Sequence, residues 1–209
     1  MKLKFMILLA VLIPFVLIVM SQSPTDRKAK DAEGLAVGEK APMFTAMDAD
    51  SNLFSLRTAV EEGPVVIIFY RGFWCPVCNK HLGDIQDSLK MIEEKGVRVI
   101  AVSPEKPEFL GVMEEKTGAS FTLLYDEDYK IADSYDVTFK PGAMTLFTYN
   151  VVLGANMKET HSGDAQLLPI PATYLIDTDG RIAWRQFDPD YKKRSSVADI
   201  LRAIDEMNP

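Results

Sequence analysis

Cysteine and histidine are scarce in this chain, with two of each in 209 residues. A structural zinc site wants four nitrogen or sulfur ligands and would have to use Cys75, Cys78, His81 and His161 together, so no metal is expected. Basic charge is also short: the net charge is −7. An acidic surface is poorly suited to phosphate backbones, which removes nucleic acid from the expected partners. No apolar run reaches the roughly 20 residues of a typical spanning helix. No internal repeat or long low-complexity segment is present.

The longest uncharged stretch lies at the N-terminus. Lys2 and Lys4 precede Phe5 to Met20, which carries no charged or strongly polar residue and contains Pro14. This is the grammar of a secretory signal peptide over residues 1–21, with Val19-Met20-Ser21 as the cleavage region. A retained N-terminal membrane anchor is the second reading. No cysteine follows the apolar run, so a lipoprotein anchor is unsupported. Either reading puts the folded part outside the cytoplasmic membrane, in the periplasm or an equivalent space. Residues 22–34 are polar and read as a flexible tether. Residues 35–209 are long enough for one domain with a sizeable core.

Within that domain, Asp48 to Asn52 is a turn cluster between short apolar stretches and predicts a hairpin over residues 44–56. Val65 to Tyr70 lacks polar alternation and reads as a strand covered on both faces. Leu82, Ile85, Leu89 and Ile92 form the apolar stripe of a helix that Gly96 ends, and Val97 to Val102 is the next strand. Together these make a βαβ unit. A second helix is expected over 108–116, a strand over 121–124 and a short helix over 126–135. Periodicity fades between Asp136 and Pro169, although Thr145 to Val152 reads as a strand. Its Met and aromatic residues, in Thr138–Tyr149, suit either core packing or a substrate surface. Pro171 to Asp177 and Arg181 to Phe187 predict a second hairpin around Asp177-Thr-Asp-Gly180. A last helix starts near Ser195 and Ser196, with Ser196-Val-Ala-Asp199 as a capping box. The pattern is that of an α/β protein with a mixed central sheet flanked by helices.

Both cysteines fall in Arg71-Gly-Phe-Trp-Cys-Pro-Val-Cys78, between the first long strand and the helix. A bridge across so short a loop removes little unfolded-state entropy, so a structural staple is the weaker explanation. Reactive cysteine chemistry needs a thiolate. Pro76 suits the first turn of a helix, which puts Cys75 at the N-cap and Cys78 one turn in, where the helix dipole favours a thiolate. Arg71 adds positive charge. Cys78 continues the buried stripe and should be partly covered, whereas Cys75 should be more accessible; this geometry alone favours Cys75 as the attacking thiol. Covalent haem attachment is excluded because Asn79, rather than His, follows the pair. A copper site with His81 is a third reading. Both histidines otherwise read as surface residues, His81 half-exposed and His161 facing solvent.

Val37-Gly-Glu-Lys-Ala-Pro-x-Phe44, Arg71-Gly-x-Trp-Cys-Pro-x-Cys78 and Pro171-Ala-Thr-Tyr-Leu-Ile-Asp-x-x-Gly180 resemble the alkyl hydroperoxide reductase/thiol-specific antioxidant (AhpC/TSA) family. These are peroxiredoxin-like proteins of the thioredoxin superfamily. The resemblance runs from about residue 35 to the C-terminus. It implies a thioredoxin-like fold and an antioxidant, thiol-dependent oxidoreductase that reduces hydroperoxides and is re-reduced by a thioredoxin-like donor, with no cofactor. The alternative is an exported protein thiol–disulfide oxidoreductase of the cytochrome-maturation type. On the family's Pro-x-x-x-Thr-x-x-Cys motif, Cys78 takes the peroxidatic position, Cys75 replaces Thr and Arg71 replaces Pro. Pro171 stands where peroxiredoxins carry an Arg and resembles the cis-proline of thioredoxins. The implied site is a redox-active Cys75–Cys78 disulfide surrounded by Arg71, Trp74, Pro76 and Pro171.

Overall fold

A computed structural model describes residues 26–207. Its centre is β3 (Val65–Phe69), in which all five residues are buried. Alternate side chains of a strand point to opposite faces, so a strand without polar positions must be covered twice. Val66 and Ile68 pack with Leu82 and Ile85 of α2 (Pro76–Asp87), Leu110 and Met113 of α4 (Pro107–Thr117), and Ile200 and Ile204 of α8 (Val197–Met207). Val65, Ile67 and Phe69 pack with Leu56 and Val60 of α1 (Leu56–Glu62) and Ile131 of α5 (Lys130–Ser134).

The remaining strands of this five-stranded sheet are β4 (Arg98–Ser103), β5 (Thr122–Tyr125), β8 (Ala172–Ile176) and β9 (Ile182–Phe187). Their order is β5-β4-β3-β8-β9. β3 runs parallel to β4 and antiparallel to β8, which makes the sheet mixed. The expected hairpins are present, β8 with β9 and the small β1 (Thr45–Met47) with β2 (Leu53–Ser55). The capping box closes reciprocally: Ser196 Oγ accepts from the Asp199 N–H at 3.1 Å, and Asp199 Oδ2 accepts from the Ser196 N–H at 3.1 Å.

Four segments depart from the sequence reading. The helix after β3 breaks at Ser88, whose N–H bonds the Ile85 carbonyl, and resumes as α3 (Leu89–Glu93); both pieces keep the apolar stripe buried. The helix expected over 126–135 is a 3-10 turn followed by α5, whose first amides are held by the Asp126 carboxylate at 2.7 and 2.9 Å. Thr145 to Val152 is not a strand. It belongs to α6 (Ala143–Phe147) and a π-helical turn, Thr148–Val152. Gly142 accepts the first helical bond from Leu146, and the wider turn closes from Leu153 to Thr148.

The fourth departure is the expected tether. The signal peptide or anchor of residues 1–21 lies outside the described residues. From Arg27 onward, however, the chain is pinned to the domain. The Arg27 guanidinium pairs with Asp136 and donates to the Thr138 carbonyl, at 2.8 Å from Nε, and Lys140 N–H bonds the Arg27 carbonyl at 2.8 Å. A buried arginine needs such partners to offset its lost hydration. Among the described residues no helix is long and apolar enough to cross a membrane.

Candidate active site

Cys75 caps α2 and Pro76 occupies its first turn, exposed to solvent. The Cys75 sulfur accepts from the Cys78 N–H at 3.3 Å, while the Cys75 carbonyl accepts from the Cys78 and Asn79 amides at 2.9 and 3.0 Å. Both thiols are free. Cys75 is 1% exposed and Cys78 0%, so the expected difference in accessibility does not exist. Cys75 and Trp74 join the same buried core as Cys78.

The environments of the two sulfurs differ in charge. Arg194, from the segment between β9 and α8, donates from Nη2 to the Cys78 sulfur at 3.4 Å. Arg71 Nη2 lies 3.8 Å from the Cys75 sulfur. Burial works against the Cys78 thiolate, but the hydrogen bond from Cys75 and the charges of Arg194 and Arg71 outweigh it and hold Cys78 well below the usual thiol range. Cys75 moves the other way. Its hydrogen bond to Cys78, together with burial, pushes it above that range. Both directions favour the thiolate on Cys78, with Cys75 as the protonated partner.

The two guanidiniums, one buried and one half-buried, point to the same charge. Arg71 is 2% exposed and sits in an aromatic cage, 3.9 Å from the Tyr191 ring, 4.9 Å from Tyr149 and 5.6 Å from Trp74. Its Nη1 donates to the Tyr149 hydroxyl at 2.7 Å. Neither Arg71 nor Arg194 forms an ion pair with a carboxylate among the described residues. Cation–π contacts offset part of the burial cost, but a buried cation needs a counter-charge, and the thiolate is in place to provide it.

Glu105 completes the floor. It is fully buried, its Oε2 accepts from the Phe73 N–H at 2.9 Å, and burial raises its carboxyl well above the usual range. Gly72, at φ +151, passes so close that a Cβ there would lie 2.3 Å from Glu105 Oε1 and 2.5 Å from Trp74 Nε1. Gly72→Ala is expected to cost about 1–3 kcal/mol by overpacking. An unchanged urea midpoint for that variant would contradict the close approach.

The structure thus brings Arg71, Trp74, Cys75 and Cys78 together. Pro171 is buried at the head of β8 but is not a cis-proline, because no cis peptide occurs among the described residues. The chain arrives extended from β7 (Leu168–Pro169), with Ile170 N–H bonded to the Val137 carbonyl, and runs straight into β8. Both histidines are buried, against expectation. His81 Nε2 lies 3.0 Å from the Ser195 carbonyl, and His161 Nδ1 lies 3.1 Å from the Tyr129 hydroxyl. Burial, with Arg194 beside it, lowers His81 to about 4; burial and Lys106 lower His161 to about 3. No group of three or more His, Cys, Asp or Glu is placed to hold a metal ion among the described residues. Tyr149 closes the Thr138–Tyr149 stretch read as core packing or substrate surface, whereas Arg194, Tyr191 and Glu105 were not legible as site residues. None belongs to a motif, and each arrives from a distant part of the chain.

This geometry can be set beside known proteins. The model of the AhpC/TSA family matches residues 37–185. The chain belongs to that family. A protein of Mycobacterium tuberculosis named as a putative peroxiredoxin is 30% identical over 170 residues, covering 81% of this chain and 95% of the relative. Peroxiredoxin Bcp of Escherichia coli is 28% identical over 172 residues, covering 82% and 97%. Among solved structures, peroxidoxin BcpB of Mycobacterium tuberculosis superposes with a TM-score of 0.64 at 19% identity, over 84% of this chain and 99% of that one. The thioredoxin domain of a thiol-disulfide oxidoreductase from Bacteroides vulgatus gives 0.57 at 17% identity, over 84% and 99%. The fold is therefore thioredoxin-like, and the family is one of thiol-dependent peroxidase oxidoreductases.

Proposed function

We propose that the protein reduces hydroperoxides at Cys78, with Cys75 as the resolving thiol. The supporting observation is the pair of guanidiniums, buried Arg71 and half-buried Arg194, that have no carboxylate partner among the described residues and reach the two sulfurs. The family's Thr and Arg are replaced here, yet cationic donors stand around the sulfur all the same, supplied by Arg71 and Arg194. Fixed donors of this kind stabilise charge that develops during reaction. The Cys78 thiolate attacks the peroxide, the O–O bond breaks, and the leaving alkoxide takes a proton to become an alcohol. Cys78 is then a sulfenic acid. The Cys75 sulfur attacks it, a disulfide forms and water leaves. A thioredoxin-like dithiol returns both cysteines to the reduced state. The basic and apolar N-terminus supports export to the periplasm or an equivalent space.

The alternative, a protein disulfide reductase, draws on Cys75 at a helix N-cap. It asks Cys75 to be the acidic thiol, and Cys75 is shifted the other way by its hydrogen bond to Cys78 and by burial. Purified protein supplied with a thioredoxin system should consume organic hydroperoxide in proportion to reductant, and in a separate assay with dithiothreitol and no thioredoxin it should not accelerate the reduction of insulin disulfides. Insulin reduction without peroxide consumption would transfer the assignment to the alternative.

A further inference from the structure

The helical excursion that supplies Tyr149 has a second face. Of the nine exposed large apolar residues among those described, five are Met144, Phe147, Val151, Val152 and Leu153. Met144 is 78% exposed and Val152 69%. No charged residue occurs from Pro141 to Met157. The inward residues of the same turns, Leu146 and Tyr149, pack on the core that holds the cysteines. One short segment therefore forms the wall of the thiol site on one side and an uncharged apolar surface on the other.

We propose that this face docks on a lipid bilayer, with the run Phe5–Met20 as its anchor. The argument is one of reach. The described chain begins at Asp26, which lines a cavity together with Phe139, Gly142 and Thr145, at the start of α6. Arg27 is then fixed to Thr138 and Asp136. Only residues 21–25 separate Met20 from that point, and an extended chain spans at most about 20 Å over such a length. A membrane-inserted run ending at Met20 thus holds α6, rather than another side of the domain, against the headgroups. Exposed Met, Phe, Val and Leu without intervening charge suit the apolar boundary of a bilayer. Resting on the peroxidase reading, the docked site would draw on hydroperoxides of membrane acyl chains, delivered beside Tyr149 and Trp74.

The test uses the full chain, with Met1 verified by mass, reconstituted into phosphatidylcholine vesicles. Phe147→benzoylphenylalanine should photocrosslink to lipid at least ten times more than Leu53→benzoylphenylalanine, placed on the exposed β2. Equal labelling at both positions, or a crosslinked dimer at 147 in place of lipid adduct, overturns the docking. The double variant Phe147→Asn/Val151→Asn should lose about tenfold in rate on vesicle-borne phospholipid hydroperoxide and keep its rate on hydrogen peroxide. Equal losses on both substrates overturn the proposed delivery route. A lipid adduct at 147 in protein that reduces no hydroperoxide supports docking and sinks the peroxidase reading instead.

Discussion

Cys78→Ser is expected to lower peroxide turnover by a factor on the order of 10³ or more, because it removes the attacking atom itself. Cys75→Ser should behave differently. Serine is a favoured N-cap, so its oxygen can take over the bond that the Cys75 sulfur accepts from the Cys78 N–H, and α2 should be preserved. Its hydroxyl can also donate to the Cys78 thiolate as the Cys75 thiol does. The first reaction with peroxide should therefore proceed close to the wild-type rate, yielding one equivalent of sulfenic acid that dimedone traps at Cys78. Turnover with a thioredoxin-like donor should then stop, and excess peroxide should drive Cys78 to the sulfinic acid. Rapid-mixing kinetics with intact-mass analysis separates these steps. If Cys75→Ser lost the first reaction while Cys78→Ser kept it, the assignment of roles would be reversed.

Arg194→Gln should give the second large effect. Arg194 donates directly to the Cys78 sulfur, and its charge helps lower that thiol. Removing one such opposite charge is worth about 1–3 pKa units. The sign follows from which form reacts. Thiolate is the nucleophile, so the rate is flat above the Cys78 pKa and falls tenfold per pH unit below it. In the wild type that limb lies well to the acid side of a normal thiol. In the variant it moves to higher pH, so the loss is greatest in acid and shrinks as pH rises. A uniform loss at all pH values would instead mean that Arg194 acts on the transition state without setting the thiolate. Arg71 is the less informative target, because its replacement would also empty the cage of Trp74, Tyr149 and Tyr191.

Much of this architecture was legible because it is local. The apolar run from Val65, the stripe through Leu82 and Ile85, the Asp177–Gly180 turn and the Ser196 cap are settled by residues within a few positions of one another. The same holds for Cys75 at the N-cap with Pro76 behind it, since capping involves a single turn. The Thr145–Val152 segment was misread because an apolar run is compatible with strand or helix, and its tertiary partners decided between them. The two histidines, read from their local setting as surface residues, were covered by chain that arrives from elsewhere.

The sequence by itself therefore determined that a cysteine pair opens a helix behind a buried strand, because backbone periodicity and capping act over short range. Only the tertiary structure decided which sulfur carries the charge. That choice depends on Arg194, 116 residues from Cys78 and half-buried, and on buried Arg71, neither of which pairs with a carboxylate among the described residues. Electrostatic energy follows distance in space and the surrounding dielectric, and neither can be read from separation along the chain.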